Sequence, residues 1–311
     1  TADQAALTVT SLLGTYGSTV SLATSGGTTN GSVSYSATGD GCTVSGGTLS
    51  RTNAGDCSVI ATTAGSSNYN AVSSLATTVT FAKANQSALS ISTTSGTYGI
   101  DLTLNVGGGT TNGSVTYVAT GVGCSQTGGV LTKSTAGDCS VTATMAGNSN
   151  YNAVSSTVTT VTFVKASQSP LTLTSTLGTY GTPLTLGYSG GLGTGAISYA
   201  VSGTGCSITS GVLSKDAAGD CSVTVTKATD TNYEAVSSSA TTVTFDRAPN
   251  SITFSSIGDR AWSASTFTLS PSATSGDTPA LTSTTTGVCT VSSLTITMVS
   301  SGTCSLTASE D

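Results

Sequence analysis

The chain repeats itself with a period of 82 residues, and this period constrains its fold more than any other feature. A repeat of this length is longer than a solenoid unit and matches a small domain with its own core. We predict complete repeats at residues 1–84, 85–166 and 167–248, and a partial, divergent fourth repeat at 249–311. Positions that recur at this step include Cys42, Cys124 and Cys206; Cys57, Cys139 and Cys221; Tyr16, Tyr98 and Tyr180; and Phe81, Phe163 and Phe245.

Each repeat is predicted to be a β-sandwich. Apolar residues alternate with Thr and Ser at period two, as at Val79 and Phe81, and no segment shows a sustained helical period. Seven short strands in about 80 residues are typical of a two-sheet sandwich of the immunoglobulin type. We therefore expect an all-β protein of tandem immunoglobulin-like β-sandwich domains arranged as an extended rod. The first repeat is expected to form strands near residues 7–11, 19–24, 32–38, 42–45, 48–51, 57–63 and 76–82.

Two dipeptides predict tight turns. Asn-Gly at 30–31 and 112–113 is a strong hairpin signal, because both central residues of a type I′ turn need positive φ. Gly-Gly at 46–47 and 128–129 predicts a second hairpin. The two Asn-Gly dipeptides, each followed by Ser, and Asn85 also fit the N-glycosylation acceptor pattern. We interpret the first two as hairpin turns.

The cysteines predict one disulfide in each repeat. All eight fall into pairs that are 15 residues apart, and two ligands without any His fall short of the four that a structural zinc needs. Closing a loop of about 15 residues is worth roughly 3 kcal/mol in the chain-entropy model. Paired cysteines in a small module indicate an oxidising compartment, so we expect an extracellular or cell-surface location. The predicted pairs are Cys42–Cys57, Cys124–Cys139, Cys206–Cys221 and Cys289–Cys304.

The charge pattern argues against several classes of partner. Charged residues make up 7% of the chain, compared with roughly 25% in ordinary soluble domains. The eight Lys and Arg residues are scattered and form no patch that could follow a phosphate backbone, so we expect no nucleic-acid partner. No apolar run approaches the roughly 18 residues of a membrane span, so none is expected in this segment.

Several short motifs resemble bacterial immunoglobulin-like repeats. They are Thr-Tyr-Gly near the start of a repeat, Ala-Gly-Asp-Cys-Ser-Val in its middle and Asn-Tyr-Asn-Ala-Val-Ser-Ser before its last strand. The resemblance is to tandem repeats of the MBG or Big type, which occur in large surface adhesins and extracellular fibres. It covers residues 1–248 and, more loosely, 249–311, where Thr-Tyr-Gly is missing.

The chain has little material for catalysis. It contains no His, which removes the commonest general base and the Ser-His and Cys-His nucleophile pairs. One carboxylate recurs in each complete repeat, at Asp56, Asp138 and Asp220, and we interpret it as a turn former. We therefore predict no enzyme, no catalytic residues and no cofactor.

Two further kinds of site are also not expected. Calcium needs six to eight oxygen ligands. The carboxylates of Asp216, Asp220, Asp230 and Glu234 cluster in the third repeat, but the second has Asn148 and Asn152 in place of Asp230 and Glu234, so no repeated calcium site is expected. An intramolecular Lys–Asn cross-link is not expected either, because Lys133 and Lys215 align with Arg51.

Nine of the ten tyrosines lie at recurring positions. Such residues favour core or corner packing with the hydroxyl bound to backbone, although a repeated sugar-binding surface is the alternative. Tyr188 and Trp262 lie outside this pattern and are the better candidates for exposed contacts.

The sequence favours a non-enzymatic extracellular spacer, as a segment of an adhesin, stalk or filament. Its expected partners are neighbouring repeats of the same chain or fibre, and surface glycans or other cells. The alternative is a glycan-binding or accessory arm of a large secreted enzyme, which would carry aligned exposed aromatic residues.

The fourth repeat ends before an Asn-Tyr and a Thr-Val-Thr-Phe motif. A sandwich without its last strand has an open edge. We expect that the natural chain continues with further repeats, and the alternative is that a neighbouring subunit inserts the strand.

Overall fold

The protein is all-β. The structure, a computed structural model, describes residues 1–263 and 265–310, and these form only strands, turns and irregular segments. β-Branched Thr and Val alternate between the two faces of the strands, which favours extended backbone. The predicted fold class of tandem sandwiches is confirmed, and the arrangement as an extended rod stays a prediction.

The chain divides into two compact units. The first contains Thr1–Ser169, Gly191–Ala196 and Ala228–Val236, and it therefore holds the first two repeats with two loops of the third. The second contains Pro170–Gly190, Ile197–Lys227 and Ser237–Asp311.

The first repeat contains ten strands. They are β1 (Leu7–Val9), β2 (Leu13–Thr15), β3 (Val20–Ser21), β4 (Thr24–Gly26), β5 (Val33–Thr38), β6 (Cys42–Ser45), β7 (Thr48–Arg51), β8 (Gly55–Thr63), β9 (Val72–Ser73) and β10 (Thr77–Ala82).

Strand order within the repeat is that of an immunoglobulin-type sandwich. One layer has the order β2-β10-β8-β5, with β9 pairing the end of β8. The other has β3-β7-β6, and β1 pairs β4, which continues β3 after a two-residue break. Among these strands, β2 and β10 pair in parallel and the other pairs are antiparallel. The two layers match the two sheets of the immunoglobulin fold.

The second and third repeats have the same order. In the second the strands are β11 (Leu89–Ile91), β12 (Ser95–Thr97), β13 (Leu102–Thr103), β14 (Val106–Gly108), β15 (Val115–Thr120), β16 (Cys124–Thr127), β17 (Val130–Lys133), β18 (Gly137–Met145), β19 (Val154–Ser155) and β20 (Thr159–Val164). In the third they are β21 (Thr172–Leu173), β22 (Leu177–Thr179), β23 (Leu184–Thr185), β24 (Tyr188–Ser189), β25 (Ile197–Ser202), β26 (Cys206–Thr209), β27 (Val212–Lys215), β28 (Gly219–Lys227), β29 (Val236–Ser237) and β30 (Thr241–Asp246).

The fourth repeat has fewer strands within the described residues. They are β31 (Ile252–Thr253), β32 (Thr266–Thr268), β33 (Ser272–Ala273), β34 (Ala280–Ser283), β35 (Cys289–Ser292), β36 (Thr295–Met298) and β37 (Leu306–Ser309). One layer keeps the order β32-β36-β35, whereas the other has only β34 paired with β37.

The core of each complete repeat lies between its two layers. In the first repeat, Leu49, Val59 and Phe81 are at most 1% exposed and belong to one apolar cluster. Cys57 lies in the same cluster and links β8 to Cys42 of β6 in the opposite layer. The disulfide therefore joins the two sheets through the core.

The Asn-Gly hairpin prediction is wrong. Residues 30–31 lie in the connection between β4 and β5, which belong to different layers, and Gly31 does not adopt a positive φ. A Cβ on Gly31 would lie 2.8 Å from the carbonyl oxygen of Ala64, so glycine is needed for close approach. Gly46 and Gly47 do adopt positive φ between β6 and β7, as a two-residue hairpin requires.

The interpretation of the recurring aspartate as a turn former is also wrong. Asp56 lies within β8, and its Oδ1 accepts a hydrogen bond from Thr80 Oγ1 of β10 at 2.7 Å. The equivalent pairs are Asp138 with Thr162 and Asp220 with Thr244. The carboxylate therefore joins two neighbouring strands.

Candidate functional site

The linker between the first and second repeats is hydrogen-bonded on both sides. The Tyr16 backbone N–H donates to the Ala82 carbonyl at 2.8 Å, within the first repeat. Ala84 donates to the Asn150 carbonyl and accepts from the Asn152 N–H, each at 2.9 Å, which ties it to the second repeat. The linker therefore has little freedom to bend at these residues.

Direct contacts between the two repeats come from the Asn-Tyr motif of the second. Asn150 Oδ1 accepts a hydrogen bond from the Ala54 N–H at 3.0 Å. The rings of Tyr16 and Tyr151 meet edge to face, with centroids 5.3 Å apart. Edge-to-face aromatic pairs contribute about 0.5–1.5 kcal/mol beyond the area that they bury.

The junction between the second and third repeats has the same contacts. Asn232 Oδ1 accepts from the Ala136 N–H at 2.9 Å. Tyr98 and Tyr233 meet edge to face at 5.6 Å. The Ala166 N–H donates to the Asn232 carbonyl at 2.9 Å. We call these repeated contacts the Asn-Tyr junction.

A buried glutamine at the start of each complete repeat holds the loops of this junction in place. In the second repeat, Gln86 is 8% exposed, and its Nε2 donates to the carbonyls of Ala146 and Asn152. Its Oε1 accepts from the backbone N–H groups of Thr110 and Thr111, both at 3.0 Å. Buried polar groups need such partners, so one side chain satisfies two loops. Gln4 and Gln168 occupy the same place.

The Asn-Tyr loop is also stabilised by the residue two positions before it. In the third repeat, Asp230 accepts hydrogen bonds from the backbone N–H groups of Thr194, Asn232 and Tyr233 at 2.6 to 2.8 Å. These hydrogen bonds stabilise the charged carboxylate and lower the pKa of Asp230 to about 2. The bond from Thr194 contributes most to this shift. In the second repeat, the uncharged side chain of Asn148 accepts hydrogen bonds from the backbone N–H groups of Asn150 and Tyr151.

The structure forms the four disulfide pairs that the spacing predicts. The Cα atoms of Cys42 and Cys57 are 5.9 Å apart, and Cys124–Cys139, Cys206–Cys221 and Cys289–Cys304 are joined in the same way. These distances are typical of disulfides.

The lysines that align with Arg51 lie beside the disulfides. Lys133 Nζ donates to the Val122 carbonyl at 2.7 Å, and Lys215 Nζ donates to the Thr204 carbonyl at 2.8 Å. In the first repeat Arg51 donates to the Asp56 carbonyl at 2.7 Å. These side chains satisfy backbone carbonyls near the cysteine loop.

Seven of the nine recurring tyrosines divide into two kinds, and Tyr69 and Tyr180 belong to neither. The hydroxyls of Tyr35, Tyr117 and Tyr199 donate to carbonyls of Leu22, Leu104 and Leu186, as the packing interpretation predicts. By contrast, Tyr16, Tyr98, Tyr151 and Tyr233 belong to the Asn-Tyr junction. Periodicity alone did not distinguish these two kinds.

The two candidate contact residues are exposed but lie in different repeats. Tyr188 lies on β24, is 38% exposed and borders a shallow depression beside Tyr199. Burial raises the pKa of the Tyr199 phenol, and the neighbouring Tyr188 raises it further. Trp262 is 63% exposed and lies between β31 and β32. Within the described residues the two rings do not pair.

Within residues 1–263 and 265–310, no group of three or more His, Cys, Asp or Glu side chains is placed to hold a metal ion. In the same residues no helix is long and apolar enough to cross a membrane.

Sequence reasoning missed the residues that build the junction. The signal was present, because Gln4, Gln86 and Gln168 recur at the 82-residue step. The Asn of each Asn-Tyr motif recurs at the same step, but only the three-dimensional structure shows that it contacts the preceding repeat.

Comparison with solved structures finds matches at low similarity. Drosophila N-cadherin EC1-4 is 11% identical, with 80% of this chain and 73% of that chain covered and a TM-score of 0.29. The S-layer protein rSbsC(31-844) is 14% identical, with 98% and 52% covered and a TM-score of 0.27. The Escherichia coli adhesin FdeC is 18% identical, with 79% and 97% covered and a TM-score of 0.26.

No family model matches the chain, and no curated protein matches it. The assignment of the sandwich type therefore rests on the strand order within each repeat.

Proposed function

We propose that this chain is a non-enzymatic, extracellular structural or adhesive spacer, a segment of a repetitive bacterial surface adhesin, stalk or filament. Its repeats are of the MBG or Big type, which the Thr-Tyr-Gly and Asn-Tyr motifs support. The partners are neighbouring repeats of the same chain or fibre. A spacer needs domains that keep a defined orientation, because flexible linkers would lose reach.

The observation that carries this proposal is the repetition of the Asn-Tyr junction. The same hydrogen bond and the same aromatic pair occur between repeats one and two and between repeats two and three. Asn150 is half-buried there, whereas the equivalent Asn68 of the first repeat is exposed. A spacer of defined geometry requires the same contacts at each junction between its repeats.

The strand pairing within a repeat also suits a chain under tension. The chain passes from β1 into β2 and leaves the repeat through β10, and β2 and β10 pair in parallel. Pulling on the two ends would load their hydrogen bonds together, in shear, rather than one at a time. The disulfide keeps part of the repeat closed when the remainder extends.

The test of the proposal compares two double variants of the full chain. Tyr16→Ala with Asn150→Ala removes one junction, whereas Tyr180→Ala with Asn68→Ala changes the same residue types at exposed positions. We expect the first to loosen the relative orientation of repeats one and two, as measured by residual dipolar couplings, while the melting of each repeat stays unchanged. Equal effects of the two variants would contradict the proposal.

Single-molecule extension tests the proposal that each repeat bears tension. Each complete repeat should unfold in one step, and reduction of its disulfide should lengthen that step by the 15-residue loop, which is about 50 Å when extended. An unchanged step after reduction would show that the loop had already opened.

The alternative is a glycan-binding arm, and the exposed rings of Tyr188 and Trp262 are the observation that favours it. An aligned aromatic surface would require rings in register on one face. Seven of the nine recurring tyrosines are instead used in junctions or bonded to backbone. Specific binding on a glycan array that Tyr188→Ala or Trp262→Ala abolishes would favour this alternative.

A further inference from the structure

The third repeat has an open depression between the edges of its two layers. It lies beside β24, β25 and the hairpin that joins β26 to β27, and its volume is about 550 Å³. Binding sites for small molecules commonly have volumes of about 300–1,000 Å³. Apolar and polar side chains line it together; they include Tyr188, Ile197, Ser198, Tyr199, Ile208 and Ser210.

Three backbone groups at this depression have no partner within the described residues. Val225 lies opposite Tyr199 on β28, but its N–H and carbonyl are both bonded to Ser238. The carbonyl of Tyr199 therefore points away from β28, toward the open edge of the sheet. The N–H groups of Ser210 and Gly211, in the hairpin turn, also form no hydrogen bond within the described residues.

The second repeat shows what kind of group fits there. Gln126 stands where the third repeat has Ile208. With the amide oriented so that each of its atoms has a partner, the nitrogen donates to the Tyr117 carbonyl at 3.1 Å. The oxygen accepts from the N–H groups of Gly128 and Gly129 at 3.2 and 2.8 Å. These are the same three backbone groups, one repeat earlier, so the third repeat presents a site that is complementary to an amide.

The exposure of the turn differs accordingly. Gly129 is buried in the second repeat, whereas the equivalent Gly211 is half-buried. In the first repeat, where Val44 replaces the glutamine, Gly47 is half-buried and a depression of about 510 Å³ lies at the same place. A glutamine at this position thus supplies an internal amide, and an aliphatic residue leaves the site open.

The third repeat adds an aromatic ring to the open site. Tyr188 is 38% exposed and borders the same depression. The first and second repeats have Thr24 and Val106 at its position. A tyrosine ring presents an apolar face and a polar edge, and such a face can pack against the C–H groups of a sugar ring.

We propose that this depression binds an N-acetylated amino sugar. The oxygen of the acetamido group accepts hydrogen bonds from the N–H groups of Ser210 and Gly211, and its N–H donates to the Tyr199 carbonyl. The sugar ring packs on Tyr188. An acetamido group is an amide and offers the same donor and acceptor as the side chain of Gln126.

This site goes beyond the spacer role. It contains no residue of the Asn-Tyr junction, so the junction variants and the variants below test separate claims. It also needs one exposed ring, in contrast to the aligned aromatic surface of the glycan-binding alternative.

The test is an NMR titration of the full chain with two disaccharides. N,N′-diacetylchitobiose carries two acetamido groups, and cellobiose has the same rings and linkage with hydroxyls in their place. We expect saturable shifts of the amide signals of Ser210 and Gly211 with the first. Cellobiose should bind at least about tenfold more weakly, the equivalent of roughly 1.4 kcal/mol.

Three variants copy residues of the other repeats, so each is already accommodated by the same fold. Ile208→Gln supplies an internal amide, as Gln126 does, and should abolish binding. Tyr188→Thr copies the first repeat and should weaken binding by about tenfold, since the ring is lost. Ser210→Gly copies both other repeats, keeps the backbone N–H and should retain binding.

Equal binding of the two disaccharides, or no binding of either, would overturn the proposal. So would undiminished binding by the Ile208→Gln variant, since the amide would then not be what the site recognises. The peptide Gly-Gln-Gly tests a protein source of the amide, and tighter binding of this peptide than of the acetylated disaccharide would also overturn the assignment to a sugar.

Discussion

The second and fourth repeats share one layer of the sandwich and differ in the other. In the second, β20 lies between β12 and β18, and β18 runs for nine residues. In the fourth, β37 has a neighbour on one side within the described residues and runs for four. Residues 303–305, which correspond to residues 138–140 of β18, are irregular. The length of a strand therefore depends on partners at both edges as well as on its own alternation.

The cores differ for the same reason. The buried cluster of the second repeat includes Val161 and Phe163 from β20. Among the described residues of the fourth, the buried cluster consists of Leu281, Cys289 and Ile296. Phe267 and Leu269 pack against it but are only half-buried. Within the described residues, the fourth repeat therefore buries fewer apolar side chains than the second.

The largest expected effect is the loss of stability of the second repeat when Phe163 is replaced. Phe163→Ala should cost about 3–5 kcal/mol of the free energy of unfolding of the second repeat, because the ring is 1% exposed and leaves a cavity. Phe267→Ala in the fourth repeat should cost clearly less, since that ring borders an open cleft. Chemical denaturation followed by repeat-specific NMR signals measures both. Equal losses would break the comparison.

Removal of a disulfide is expected to have the next largest effect on stability. Replacing Cys124 and Cys139 by Ser should destabilise the second repeat by about 3 kcal/mol, because the loop is the same in every repeat and the chain-entropy term depends on loop length. The same change at Cys289 and Cys304 should unfold the fourth repeat, whose small core has less stability in reserve. Limited proteolysis under native conditions distinguishes the two, and a protease-resistant fourth repeat would contradict this expectation.

Replacing the glutamine that holds the junction loops should have a smaller effect on stability. Gln86→Ala leaves buried N–H and carbonyl groups without partners, at about 1–3 kcal/mol for such a group. Asn250 occupies this position in the fourth repeat, is exposed and accepts a hydrogen bond from the Ser275 N–H at 3.1 Å. Asn250→Ala should therefore change stability much less. Thermal unfolding of the two variants provides the comparison, and the reverse order would refute it.

The smallest expected effect concerns pH. The folded-state pKa of Asp230, about 2, lies below its ordinary value, so the carboxylate stabilises its loop at neutral pH. That contribution is lost as the pH falls through the folded-state pKa. The amide signals of Asn232 and Tyr233 should therefore shift near pH 2, whereas those of Asn150 and Tyr151, which bond to uncharged Asn148, should not. Asp230→Asn should remove the shift, and a shift that persists would assign it to another group.

The Asn-Tyr junction shows a second contrast within the chain. Tyr16 and Tyr98 are half-buried against tyrosines of the following repeat, whereas Tyr180 is 44% exposed. Ala54 and Ala136, whose N–H groups bind the junction asparagines, are half-buried, and the equivalent Ala218 is exposed. Within the described residues the fourth repeat contains no Asn-Tyr motif. Identical residues thus have different environments, depending on whether the next repeat carries that motif.

Much of the fold could be predicted from local pattern. Period-two alternation located the main strands of the first repeat, and the Gly-Gly dipeptide located the hairpin between β6 and β7. The short strand β2 was missed because Leu13 is 75% exposed and its neighbour is Gly14, so no apolar alternation marks it. It forms a strand because β10 supplies a parallel partner. The Asn-Gly prediction failed because the chain there crosses between layers.

The sequence by itself determined the 82-residue period, the pairing of cysteines 15 residues apart and the alternation that makes each repeat a sandwich. These properties depend on residue type and on short separations along the chain. The tertiary structure decided which tyrosines join repeats and which glutamine holds the loops. The junction bonds connect residues 96 positions apart, and no local periodicity specifies a partner at that distance.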